Sequence, residues 1–236
     1  MTVPAPSPFE RGLGVAVVFA VLLGCAALFA LVRGPLDFDI TRPFSAAGLL
    51  FIAAMLLPLV AAQYLMKRWG VRWADYGLNI RTPVWRILVY AMVALVVLHI
   101  AGMVIVPWAV EFADQPPDVA YLMALPGNLT GLILALLLMW ITVALMAEML
   151  CRGFLMNEIA GALGAGKLAW ALSVLLVGAG FGLIHAYQGL SGILMAGGTG
   201  VVLGVLYLLM GRNLWPLIIG SGLLNSIRFY QVYALG

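Results

Sequence analysis

Charge is scarce in this sequence. Only 9% of its 236 residues are Asp, Glu, Lys or Arg, whereas 65% are hydrophobic and mean hydropathy is +1.13. That balance excludes a soluble globular domain and leaves a polytopic helical membrane protein. Short alternating apolar segments are also missing, which argues against a membrane β-barrel. Cysteine is limited to Cys25 and Cys151, both inside apolar segments. A disulfide framework is therefore not expected, and no CxxC or Cys/His spacing suggests zinc; neither metal nor cofactor is anticipated. The formal charge of +3 is small and its basic residues lie at loops, so it reads as topology and not as nucleic-acid binding. No small-residue cleavage site follows the first apolar run, which is long enough to span and is not read as a removable signal peptide.

What is abundant is long apolar runs. Seven candidate spans cover Leu13 to Val32, Ala46 to Met66, Ile87 to Trp108, Leu129 to Leu163, Leu168 to His185, Leu190 to Met210 and Leu214 to Leu235. Most are near the ~20 residues that cross a bilayer. The expected fold is all-α, an integral membrane bundle of about seven transmembrane helices. Between the second and third spans lie Lys67, Arg68, Arg72, Arg81 and Arg86 against Asp75 alone; the next loop carries Glu111, Asp114 and Asp118 with no basic residue. Positive-inside reasoning puts the first of these loops and the amino terminus in the cytoplasm. The fourth span then runs from outside to inside, and with seven spans the carboxyl terminus lies outside. Trp69, Trp73, Trp85 and Trp108 fit interfacial anchors. The stretch from Trp69 to Leu78 is either a juxtamembrane amphipathic segment or a solvated loop, and the solvated loop is the reading favoured here.

Against this apolar background three polar stations stand out. Glu148 and Arg152 are one helical turn apart in the fourth span, on one face and able to pair. Intramembrane charges usually face an interior or a water-filled cavity, so they define a site; a self-satisfied ion pair that only fixes the fold is the alternative. Glu158, later on the same helix, is expected to be an interfacial, solvated carboxylate. Phe181 and His185 share a face at the end of the fifth span, whereas His99 is expected to be a hydrogen-bonded structural histidine. Ser221 and Asn225 form an i, i+4 pair in the last span, either as packing glue or as donors to a developing oxyanion. Gly192, Ala196, Gly200 and Gly204 form a small-residue ridge suited to close helix packing.

The order and flanks of these stations, with Arg152-Gly153-Phe154-Leu155, His185-Ala-Tyr187-Gln188-Gly189, Gly204-Val-Leu-Tyr207 and Leu214-Trp215-Pro216, resemble the CPBP family. This is the group of intramembrane proteases and bacteriocin-processing proteins related to the CAAX prenyl endopeptidase. The likeness covers about Ala144 to Ile227, within a core expected over 126–236, preceded by three further helices over 1–125. The family's motifs are EExxxR, FxxxH and HxxxN or HxxxD. The resemblance implies a metal-independent glutamic endopeptidase acting on a membrane-associated protein or peptide. In it the first glutamate and the FxxxH histidine activate water, while the third motif stabilises the oxyanion. It also suggests the inner membrane of a bacterium, with the amino terminus cytoplasmic.

Glu148, Arg152, Phe181, His185 and Asn225 match those motifs. Two positions depart. Ala147 stands where the family has its first glutamate, and Ser221 where it has the third-motif histidine. Alanine cannot accept a proton, and serine is shorter than histidine and cannot become a cation. The sequence therefore predicts reduced or lost proteolysis, with a non-catalytic binding or assembly subunit as the alternative reading. For Glu148 to replace the missing base, the helix carrying it must be rotated or locally deformed, because neighbouring positions point about 100° apart. No internal repeat suggests a transporter.

Overall fold

The long apolar runs begin at residues suited to starting helices. Ser7 Oγ accepts the Glu10 amide and Glu10 returns a bond to the Ser7 amide, with Pro8 in the first turn; α1 follows over Pro8–Val32. Ser45 Oγ accepts the Gly48 amide at 3.1 Å at the head of α2, Ala46–Arg68. After α3, Val84–Ala113, Asn128 accepts the Gly131 amide at 2.8 Å and opens α4, Leu129–Ala162. Then come α5 (Lys167–Leu183), α6 (Gly189–Leu209) and α7 (Trp215–Tyr233). The computed structural model describes residues 6–34 and 36–236, and no strand occurs among them.

The protein is an all-α membrane bundle. Its seven long helices follow the seven apolar runs, and five segments are long and apolar enough to cross a bilayer: α1, α2, α3, α4 and Ala186–Leu209. Of the other two, α5 has only 17 residues and α7 carries Asn225, Arg228 and Gln231. Leu88, Met92, Val96 and Met103 lie exposed on α3, while Glu148, Arg152 and Glu158 are buried. Apolar exterior and charged interior are the distribution a hydrocarbon surround demands.

The helices of the site pack closely. α5 lies against α6, where a Cβ on Gly200 would stand 3.1 Å from the Gly178 Cα, so the small-residue ridge does serve packing. α3 packs on both α6 and α7, and α1 packs on α2 and on the last turns of α4.

The helix α4 is not regular. It widens into π-type turns over Trp140–Met146 and Met149–Leu155; the Ala147 amide bonds to the Thr142 carbonyl and the Met156 amide to that of Cys151, each five residues back. Two side chains accommodate the distortion. Thr142 Oγ1 donates to the Leu138 carbonyl at 2.7 Å, a back-bond that bends helices. Asn157 Nδ2 serves the Arg152 and Gly153 carbonyls at 3.1 and 2.6 Å, in the second widened turn.

Three expectations are corrected. Glu158 is not solvated: it is fully buried, paired with Arg11 of α1 at 2.9 Å, and it accepts the Tyr76 hydroxyl. Nor is the Trp69–Leu78 stretch a free solvated loop. Trp69 stacks on Phe154, Tyr76 is buried, and Gly77, at φ +100°, offers its carbonyl to the Leu214 amide at 3.0 Å. The loop docks because it brings the hydroxyl that Glu158 needs. His99 lies exposed on α3 and makes no side-chain hydrogen bond among the described residues. Its neighbours on that face, Val96, Ile100 and Met103, are apolar and equally exposed, so they offer it no partner.

Candidate active site

Glu148, His185, Ser221 and Asn225 line one cavity of about 330 Å³ enclosed mainly by α3, α4, α6 and α7. Phe38, Pro117, Val119 and Tyr121 close its other end, so it reaches from mid-helix to the side of the 33–45 and 114–128 loops. That side is opposite the basic loop.

The first station is a tied carboxylate. Arg152 is wholly buried; its Nη1 donates to Glu148 Oε1 at 3.3 Å and its Nη2 to the Gly200 carbonyl at 2.9 Å, while Cζ lies 5.1 Å from the Phe181 ring centre. Glu148 Oε2 has no hydrogen-bond partner. Between the two widened turns it is Glu148, not Ala147, that faces the cavity: Ala147 is buried and absent from its lining. The helix around Glu148 is locally deformed, which is one condition for Glu148 to replace the missing base.

The second station lies in a turn. α5 stops at Leu183, and Ala186–Gln188 form a short 3₁₀ turn before α6, so His185 is carried on irregular backbone inside the fold. Such backbone is tolerated at membrane depth only where protein satisfies it. Here Arg33 Nη2 donates to the Tyr187 carbonyl at 2.7 Å and to Asp118 Oδ2 at 2.6 Å, and the Asp118 amide donates to the Gln188 carbonyl at 3.0 Å. His185 Nδ1 stands 2.8 Å from the Phe181 carbonyl. A carbonyl can only accept, so this contact assigns the proton to Nδ1 and leaves Nε2 as an acceptor. Phe181 thereby touches both stations, through its ring and through its carbonyl.

The third station is on α7. Ser221 Oγ is buried without a hydrogen bond, and the Asn225 side chain makes none either among the described residues. Gly222, next to Ser221, leaves room for the Trp140 ring of α4, whose Nε1 bonds Ser226 Oγ at 3.1 Å. That contact fixes α7 against the widened part of α4.

Several contributors could not be read from the chain. Arg33 and Asp118 are 85 residues apart, and Asn157 meets Tyr207 at 3.0 Å across 50. Only the buried setting of Tyr207, among the glycines and leucines of α6, hinted at a partner. Among the described residues no group of three or more His, Cys, Asp or Glu side chains converges. At the mouth, the Ala120 amide and then Arg33 hold the Asp118 carboxyl below its ordinary value.

Residues 129–227 match the family described as Type II CAAX prenyl endopeptidase Rce1-like. That match agrees with the resemblance of the motif-bearing segment to the CPBP family. No curated protein and no solved structure matches the chain. The matched segment of the CPBP core begins with α4 and ends within α7, so it takes in all three polar stations; α1 to α3 lie outside it.

Proposed function

We propose that this CPBP-like membrane protein binds a segment of a membrane-associated protein or peptide in the cavity between α4 and α7, and that its hydrolytic capacity is reduced or lost. The observation carrying this reading is the cavity wall itself. It retains Glu148, His185, Ser221 and Asn225, yet offers a single carboxylate, and that one is tied to Arg152. A general base must reach the attacking water, and oxyanion donors must point at the developing charge. The Ser221 hydroxyl and the Asn225 Nδ2–H are suited to donate to a carbonyl oxygen. Ala147 contributes nothing to water activation. The basic loop at 67–86 supports a cytoplasmic amino terminus, and the family likeness supports a bacterial inner membrane.

A second reading is favoured by one feature. Glu148 lines the cavity and its Oε2 is unpartnered among the described residues, so Glu148 with His185 Nε2 forms the residual base of a slow endopeptidase. Cleavage of a panel of fluorogenic peptides by the native chain, Ala147→Glu and Glu148→Gln separates the two. On the first reading the native chain cuts no faster than Glu148→Gln. If the native chain cuts and Glu148→Gln falls by about 100-fold or more, as loss of a general base implies, the second reading replaces the first. Cleavage by Ala147→Glu alone identifies the missing carboxylate as the limiting group.

A further inference from the structure

We propose that Arg228 is an anion anchor of this cavity and that the bound peptide presents a carboxylate to it. The inference rests on the peptide-binding reading above and names the chemistry that would be selected there. Ser221, Asn225 and Arg228 stand at i, i+4 and i+7 on α7, which puts them on one face, and all three line the cavity. The other guanidiniums near the cavity are engaged: Arg152 by Glu148 and the Gly200 carbonyl, Arg33 by Asp118 and the Tyr187 carbonyl. Arg228 has neither a carboxylate nor a hydrogen-bond acceptor among the described residues.

Its guanidinium is placed against α3. The guanidinium lies beside Gly102 of α3, where a Cβ would come within 2.9 Å of Nη2. Gly102 is eleven residues short of the end of α3, about 16 Å at 1.5 Å per residue. The glycine leaves room for the guanidinium beside α3, and Arg228 itself remains exposed. Arg228 is exposed and has no protein partner among the described residues, so its guanidinium is open to a ligand carboxylate, which matches the planar fork of arginine.

The dimensions favour a peptide over a lipid. A cavity of about 330 Å³ is at the small end of ligand pockets and suits a short extended segment rather than a two-chain lipid. Along α7, Arg228 is about 4.5 Å beyond Asn225, and an extended chain advances roughly 3.3–3.6 Å per residue. The carboxylate therefore belongs one or two residues from the carbonyl held at Asn225. An acidic side chain and a free chain end supply the same group.

The test uses the full chain in phosphatidylcholine nanodiscs and randomised synthetic peptide pools in four forms, with or without Asp and Glu and with free or amidated ends. The native protein is expected to retain carboxylate-bearing pools about tenfold over the neutral amidated pool, the scale of one charged hydrogen-bonded contact. Arg228→Gln should lose that preference with its thermal midpoint kept. Arg228→Lys, which retains charge without the fork, should fall between and serves if the glutamine variant does not fold. Comparison of the acidic-amidated and neutral-free-end pools assigns the carboxylate to side chain or terminus. Retention without charge preference overturns the Arg228 assignment and leaves peptide binding standing. If no pool is retained, both readings fall. If the Arg228-dependent ligand is phosphatidylglycerol added to the nanodisc and not a peptide, the peptide form is overturned in favour of a lipid headgroup.

Discussion

Two carboxylates on α4, Glu148 and Glu158, are both buried, and their partners separate them. Glu158 has both oxygens engaged, one by Arg11 and one by the Tyr76 hydroxyl, so it works as a lock between α1, the 69–83 segment and α4. Glu148, which lines the cavity, has one oxygen near Arg152 at 3.3 Å and the other without a hydrogen-bond partner among the described residues. A carboxylate satisfied on both oxygens holds structure, whereas one left half-satisfied beside a cavity is available to a ligand. Replacing Glu158 with alanine leaves a partly buried Arg11 and a buried hydroxyl without their acceptor. The expected cost is about 3 kcal/mol, the lower end for breaking a buried pair because Arg11 keeps some exposure. Glu158→Gln, whose single amide oxygen can still accept from Arg11 while its Nε2–H donates to the Tyr76 oxygen, should recover part of it. Thermal unfolding in detergent reads both, and equal midpoints for the native and alanine proteins would remove the lock.

At the scale of the element, α4 shows how a helix can be bent to serve a site. Five-residue spacing at Ala147 and Met156 turns the segment between them relative to its ends, and Glu148 sits there. The widened turns free carbonyls that a regular helix would use, and Asn157 takes those of Arg152 and Gly153 while also meeting Tyr207 Oη. Tyr207 in turn donates to the Tyr76 carbonyl at 3.1 Å, so the distortion is buttressed by α6 and by the docked segment. Asn157→Leu, close in size, keeps the volume and loses the donor. A loss of about 2 kcal/mol is expected from the under-satisfied carbonyls, with faster amide exchange localised to residues 149–157. Uniformly faster exchange along α4, without that localisation, would speak against a role in holding the widened turn.

Across the whole molecule, the Arg33–Asp118 contact ties the end of α1 and the 114–128 loop to the turn that carries His185. Asp118 is held below its ordinary carboxyl value, first by the Ala120 amide and then by Arg33. A depressed folded-state value means that this contribution is present above the unfolded value, near 3.9, and is lost as pH falls through the folded one. The Asp118 side chain is 41% exposed, so its share is at most about 1 kcal/mol. The native protein should therefore unfold above Asp118→Asn near pH 7, and the gap should close as the pH is taken below about 4. A gap that persists unchanged in acid would show that ionisation of Asp118 does not hold the turn.

Composition and hydropathy run by themselves determined the membrane class, the all-α bundle and the seven helices, because burying backbone in hydrocarbon leaves little choice once the apolar runs are long. Motif order also made the likeness to the CPBP family legible, since it is a property of spacing along one chain. What the chain could not disclose was depth and partnership. Glu158 and the Trp69–Leu78 segment read as solvated because their partners, Arg11, Tyr76 and Leu214, are distant in sequence. The orientation of Glu148 depended on hydrogen bonds five residues apart, which a regular helical wheel does not anticipate. Only the tertiary structure decided which side chain faces the cavity. Helical spacing fixes neighbours on one face, but the packing of α4 against α6 and α7 decides where that face points.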